Sequence, residues 1–381
     1  MKASPRQTLL PYGRQHIDED DIAAVVAVLR SDWLTTGPKV EEFERALADF
    51  TGAAHAVAVS NGTAALHTAM AALGIGPGDE VIVPAITFVA TANSVVYQGG
   101  TPVFADVQAD TLLLDPDDVA RRITSRTRAI AAVDYAGQPC DYDALRSLAE
   151  QHGLKLVSDA CHALGGSFGG KKVGALADLS TFSFHPVKPI TTGEGGAITT
   201  DDAALAAKMR VFRSHGIVSD FRQREKAGAW TYEMTSLGFN YRLPDLACAL
   251  GITQLRKLPA LLARRHEIAA IYDAALRDHP QCHPLALRPG RTHGRHLYVV
   301  KLHASLDRDA VFRALREARM GVNVHYAPVH LHPFYRERFG HAPGLCPVAE
   351  REFRRILSLP IFPQMTDADA HDVLAALDAA T

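Results

Sequence analysis

Lys188 stands in the segment TFSFHPVKPITTGEGGAI, residues 181 to 198. A hydroxyl, Ser183, lies five residues before it, and Thr191, Thr192, Gly193, Gly195 and Gly196 follow, a run that favours a tight turn. An apolar β-type run, Gly196 to Thr200, resumes behind them. A lysine at the end of a strand, beside a hydroxyl able to hold a phosphate, suits a Schiff base to an aldehyde cofactor. The competing reading is a solvated surface lysine, where most lysines sit. Asp159 ends the apolar run Lys155-Leu-Val-Ser. A carboxylate there needs a partner, and a protonated ring nitrogen would be one; a loop cap is the alternative. Ser60-Asn61-Gly62-Thr63 lies between a strand pattern and an alanine-rich helix. It reads either as an anion site at a helix N-terminus or as a plain N-cap. Phe88, at another strand-to-helix turn, reads as a ring that stacks on a flat cofactor or as a core aromatic. His162, three residues after Asp159, reads as a hydrogen-bond partner of a ring substituent or as a satisfied loop residue.

Strands are expected at 55–59, 80–83, 102–105, 128–134, 154–158 and 196–200, with helices at 63–73, 88–97 and 142–152 between them. This alternation predicts an α/β fold with a mostly parallel large-domain sheet covered by helices. In such sheets ligands sit beyond the carboxyl ends of the strands, where Lys188, Asp159 and Ser60 to Thr63 fall. Helices are also expected at 18–31, from Pro38, at 203–212 and at 243–265. The large domain is taken as 1–260 and a smaller C-terminal α+β domain as 261–381. That second unit should hold strands at 298–302 and 322–325 and helices at 307–319 and 367–379.

The chain has 381 residues, 47% hydrophobic and 22% charged, with a net charge of −2. That is the composition of a soluble globular protein and gives no electrostatic footprint for nucleic acid. Residues 1–20 hold no signal-type apolar core, and no run approaches the roughly 18 apolar residues of a membrane span. Five cysteines with no CxxC pair fit a reducing cytoplasm. Two patterns resemble other sites without fitting them. GGSFGGKK, residues 165–172, ends in Lys172 where a phosphate loop needs a hydroxyl, and reads as a glycine-rich hairpin. His325, His330 and His332 share a segment with two prolines and no acidic residue, so no metal site is expected; a substrate-recognition loop is.

Taken together, these segments resemble the DegT/StrS-type sugar-nucleotide aminotransferases, fold-type I pyridoxal-phosphate enzymes. The resemblance runs from Trp33-Leu-Thr-Thr-Gly-Pro38 through Ser60-Asn-Gly-Thr-Ala-Ala-Leu66 and Pro84-Ala-Ile-Thr-Phe-Val-Ala-Thr-Ala-Asn93. It continues through Arg213-Ser-His-Gly216 and Gly238-Phe-Asn-Tyr-Arg242 to Val324-His325-Tyr326. It implies that Lys188 bonds the pyridoxal 5′-phosphate, that Asp159 binds the pyridine nitrogen, and that Gly62, Thr63 and Ser183 hold the phosphate. Phe88 would cover the ring. Asn240 would reach the phosphate from the neighbouring subunit of a homodimer. His162 departs from the family pattern, which has glutamine there. His215, His325 and Tyr326 are the expected substrate contacts.

The segments 133–137, 158–165 and 184–192 look most like the subgroup that makes UDP-4-amino-4,6-dideoxy-N-acetyl-β-L-altrosamine for pseudaminic acid. The implied substrate is a UDP-linked 4-keto-6-deoxy N-acetyl sugar, with L-glutamate as amino donor and 2-oxoglutarate as by-product. The alternatives are an aminotransferase for another nucleotide keto sugar and a non-catalytic regulator. Lys188 argues against the regulator, and against dehydratase relatives that carry histidine at that position.

Overall fold

The computed structural model describes residues 6–219, 221–226 and 228–381. Nine strands precede the long helix of the chain: β1 (His55–Val59), β2 (Glu80–Pro84), β3 (Thr101–Ala105), β4 (Thr127–Val133), β5 (Lys155–Asp159), β6 (Ser167–Phe168), β7 (Lys171–Lys172), β8 (Leu179–Ser183) and β9 (Gly196–Thr200). Seven of them form one sheet, ordered β1-β9-β8-β5-β4-β2-β3. The pairs from β8 through β5, β4 and β2 to β3 are parallel. Only β9 is reversed, antiparallel to both β8 and β1. The carboxyl ends of the other six strands therefore share one edge, as expected for an α/β sheet that binds ligands there.

Period-2 alternation buries both faces. Val57 and Val59 of β1 join one core cluster, with Ile82, Ile130 and Ile198. Ala56 and Ala58 join another, with Phe43, Leu47, Phe182 and Leu258. Helices 62–72, 90–97 and 142–152 connect the strands. Two of them begin on a side-chain cap, as does helix 203–212: Asn61 accepts from Ala64 N–H, Asp141 from Ala144 N–H and Asp202 from Ala204 N–H. The β6–β7 pair is an antiparallel hairpin turned by Gly169 and Gly170, both with positive φ, as the glycine run predicts.

Asp245–Leu276 is one helix of 32 residues, 11 residues longer at its C-terminus than the apolar pattern predicts, and it passes through Pro259 and residue 260. Its second half packs Ile268, Tyr272 and Leu276 against a three-stranded antiparallel sheet. That sheet is β10 (Cys282–Pro284), β12 (Tyr298–Leu302) and β13 (Ile356–Leu359), while β11 (Arg291–Thr292) pairs with β6. The helix is long and apolar enough to cross a membrane, but Cys248, Leu255, Leu258, Ile268, Tyr272 and Leu276 lie in these cores. The strand expected at 322–325 is not formed. Asn323 makes a single bridge to Ser358, and its own side chain takes the next N–H, Val324, at 2.8 Å. The ladder ends there and the chain turns toward the large sheet.

Arg265 ties these parts together. It is 1% exposed, and its guanidinium donates to Ile361 O at 2.8 Å, Arg295 O at 3.2 Å and His296 O at 3.4 Å. Burial pulls its pKa down to about 10, so it remains a cation at neutral pH. Arg265→Met should leave these carbonyls without donors and lower the unfolding free energy by on the order of 3 kcal/mol. Urea unfolding of the two proteins checks this.

Candidate active site

The carboxyl ends of β1, β5 and β8 meet at one cavity of about 850 Å³, walled on its far side by Asn323 to Tyr326. The chain leaves β1 through Ser60 and Asn61 and enters helix Gly62–Ala72. The first N–H groups of that helix have no carbonyl partner within it, and they form the positive end of its dipole. Gly62 and Thr63 line the cavity there, beside Ser183 at the end of β8. This approach depends on two missing side chains. A Cβ on Gly62 would lie 2.8 Å from Ser183 Cβ, and one on Gly196 would lie 2.4 Å from Asn61 O. Gly196 is the first residue of β9, in register with Val59 on one side and Ser183 on the other. It is the spacer that lets the helix N-terminus and the serine face the same space.

Lys188 follows Ser183 on a loop fixed by its own threonines. Lys188 N–H donates to His185 O at 2.9 Å, Thr191 Oγ1 donates to Phe184 O at 3.0 Å, and Gly193 N–H donates to Thr191 Oγ1 at 3.0 Å. The lysine side chain is half-buried in the cavity. Burial pulls its ammonium below the usual lysine range, against the opposing pull of Cys161 and Asp159.

Asp159 lies across the same cavity, 5% exposed. Thr91 Oγ1 donates to its Oδ2 at 2.6 Å, Thr87 meets Thr91 at 2.7 Å, and Cys161 N–H donates to Oδ1 at 3.3 Å. Among the described residues it forms no ion pair. A buried carboxylate held only by neutral donors has room for a cationic partner, which a protonated pyridine ring supplies. Phe88 is 55% exposed at the cavity mouth, 6.0 Å centroid to centroid from Tyr326. This donor set fits pyridoxal phosphate: a helix-end anion cradle, a carboxylate without a counter-ion and a lysine held partly out of water.

His162 and His325 also line the cavity, but their ring nitrogens already have protein partners. Ala136 N–H donates to His162 Nδ1 at 3.3 Å, so the proton sits on Nε2, which meets Tyr326 Oη at 3.1 Å. Asn323 Nδ2 lies 3.3 Å from His325 Nε2, and His325 Nδ1 lies 2.8 Å from Ser358 Oγ. Tyr135 Oη donates to His325 O and holds that turn. His330 points elsewhere, fully buried against Glu350 at 2.9 Å. His215 and Asn240 are exposed and lie outside their own chain's cavity, bridged through Ser214 and Phe239. The sequence reading missed Thr91, Tyr12, Asn323 and His296. Thr87 lies on the bend after β2 and Thr91 in the first turn of helix 90–97, so their meeting depends on how the chain turns between them. Nothing local marked His296.

A lysine on the loop after β8 and a carboxylate at the end of β5, in a mostly parallel sheet, define the pyridoxal-phosphate class of lysine enzymes. The comparisons are more specific. Residues 15–378 match the DegT/DnrJ/EryC1/StrS aminotransferase family, and the chain belongs to it. It is 41% identical over 377 residues to the spore coat polysaccharide biosynthesis protein SpsC of Bacillus subtilis, covering 98% of this chain and 97% of that one. Among solved structures it is similar to Helicobacter pylori PseC, an aminotransferase involved in the biosynthesis of pseudoaminic acid. The identity is 35% and the TM-score 0.91, covering 98% and 100% of the two chains. It is also similar to Spr1654 of Streptococcus pneumoniae in its PMP form, at 33% identity and TM-score 0.93, covering 97% and 98%. The protein is a pyridoxal-phosphate-dependent sugar aminotransferase of fold type I.

Gly196→Ala should push the Asn61–Gly62 turn away from Ser183 and weaken pyridoxal-phosphate binding at least about tenfold, a loss of roughly 1.4 kcal/mol. The fold should persist. Spectrophotometric titration of the cofactor-free protein, beside its circular dichroism, reads both.

Proposed function

We infer that this aminotransferase converts a UDP-linked 4-keto-6-deoxy N-acetyl sugar to its 4-amino sugar, with L-glutamate as donor and 2-oxoglutarate as by-product, for pseudaminic acid. The observation that carries the amino-transfer chemistry is Lys188 and the unpaired Asp159 facing one cavity. Support for the particular sugar is the likeness to PseC over nearly the whole chain. An aminotransferase for a different nucleotide keto sugar is the second reading, since SpsC is a relative at 41% identity and bears a different name.

Pyridoxal phosphate, when bound, supplies the carbonyl and the electron sink. Lys188 would be the residue that anchors that carbonyl, and its amine, when free of it, would carry the proton between substrate and cofactor carbons. Asp159 would keep the ring nitrogen protonated. Gly62, Thr63 and Ser183 would hold the phosphate, and Phe88 would cover the ring at the mouth. His162 acts through Tyr326, fixing the direction of that hydroxyl. His325 and Tyr326 face the sugar.

The working unit of this reading is a homodimer with shared sites. Lys188 is the one lysine or arginine among the described residues that line the cavity, yet the substrates carry a diphosphate and carboxylates. Asn240 and His215 sit instead on an outward face with Trp230, Tyr232, Met234 and Leu237, exposed by 90, 61, 64 and 78%. A second copy would cover that face and bring Asn240 to the partner's phosphate cradle and His215 to its sugar. The five free cysteines fit a cytoplasmic setting.

Borohydride should fix the cofactor to Lys188, read by peptide mapping; an adduct on another lysine overturns the role. Asp159→Asn should slow the half-reaction with glutamate by about a hundredfold or more, because an amide cannot hold the ring proton. Stopped-flow absorbance measures it. Mixing Lys188→Ala with Asn240→Asp protein should restore activity as subunits exchange, since both lesions then share one site. No recovery would leave Asn240 as a residue outside the site. Mass spectrometry of products from a panel of UDP-keto sugars with glutamate decides between the two substrate readings.

A further inference from the structure

The sequence offered no role for His296, and the site as described leaves it unused. It is 4% exposed and lines the cavity. It reaches that position because three loops meet nearly backbone to backbone. Gly294 N–H donates to Gly137 O at 2.7 Å, and a Cβ on Gly294 would lie 2.7 Å from Ala163 Cα. A Cβ on Gly166 would lie 2.9 Å from Thr292 O. Arg265 bonds the His296 carbonyl from behind. The imidazole Nε2 then stands 3.4 Å from Lys188 Nζ.

His296 differs from the other buried histidines of the cavity. His162 and His325 have both ring nitrogens engaged, whereas His296 Nδ1 is buried with no partner among the described residues. An orphaned buried N–H is rarer than an orphaned acceptor, so the bare nitrogen is Nδ1 and the proton is on Nε2. That proton points at the lysine. A neutral amine has a lone pair to accept it, and an ammonium does not. The charged and titratable groups facing His296 are Lys188, His162, Arg265 and His325; burial first, and the Arg265 cation, hold the imidazole neutral. It cannot serve as a cationic acid, but it can donate a neutral hydrogen bond.

We propose that His296 is a positioning residue for Lys188, donating Nε2–H to the lysine amine so that the amine is held neutral and aimed into the cavity before a carbonyl arrives. Hydrogen bonding to the neutral form of a base lowers its pKa. The inference rests on Lys188 being the reactive lysine, and its test is independent of turnover.

The test uses the cofactor-free protein. Lys188 is labelled by reductive methylation with formaldehyde across a pH series, and the extent is read by peptide mass spectrometry with the surface lysines as internal references. Only the neutral amine reacts. His296→Leu should raise the Lys188 midpoint by about one pH unit, which is about tenfold slower labelling at neutral pH. His296→Gln places an amide N–H near the Nε2–H and should label within about twofold of wild type. If His296→Leu does not fold by circular dichroism, His296→Phe fills the ring's space without a donor and carries the same comparison. Labelling of the donor-less variant at or above the wild-type rate overturns the proposal. So does a glutamine variant as slow as the donor-less one, because shape rather than the proton would then matter. Borohydride mapping of the loaded wild-type protein separately reports whether Lys188 is the cofactor lysine.

Discussion

The buried, unpaired carboxylate of Asp159 is the constraint around which this protein is organised. A charge taken out of water without a counter-ion is costly, and neutral donors offset only part of that cost. Here Thr91 and the Cys161 N–H fix the carboxylate at the wall of the cavity. The same cavity makes the opposite demand of Lys188, whose amine must give up its charge. Burial favours the neutral amine, against the pull of Cys161 and Asp159.

The sheet supplies the frame for that opposition. Parallel strands bring Asp159, Ser183 and the Asn61–Gly62 turn to one edge, and the single reversed strand, β9, carries the loop of Lys188 back between β8 and β1. A reversed strand at this point would wedge the phosphate cradle apart if its first residue had a side chain; Gly196 has none. The second sheet is coupled to this frame through buried polar contacts as well as apolar packing. Arg265, on the long helix, satisfies carbonyls of the segment that delivers His296 and of the chain after β13. A cation buried this way sets the position of backbone groups that have no other donor nearby.

The histidines of the site are told apart by what their nitrogens already touch. His162 has its nitrogens committed to Ala136 N–H and Tyr326. His325 is locked between Asn323 and Ser358 and shapes the wall. His330, grouped with His325 by sequence spacing, turns into the core against Glu350. Residue type gave all of them the same potential chemistry; only their hydrogen-bond partners separate them.

Much of the architecture was legible in the residue pattern because its causes are local. Short apolar runs bounded by glycine, serine or aspartate marked β1, β4, β5 and β9, and the Ser60 to Thr63 segment marked the start of the helix behind β1. Lys188, Asp159, Ser183 and Gly62 to Thr63 were visible because open parallel sheets place their functional groups at strand ends. The strand expected at 322–325 failed because Asn323 satisfied its neighbour's N–H from its own side chain, a competition that composition does not reveal. The long helix outran its expected end because Tyr272 and Leu276 are held by the second sheet and not by local propensity. His296 was invisible for a similar reason. It lies 108 residues from Lys188 in the chain, and it meets the lysine only because glycines at 137, 166 and 294 let three loops close to backbone contact. The sequence by itself determined which residues were able to do chemistry and on which strand ends they stood. The tertiary structure alone decided which of them share a cavity and which partners each histidine nitrogen meets, because both depend on contacts between segments that no local pattern encodes.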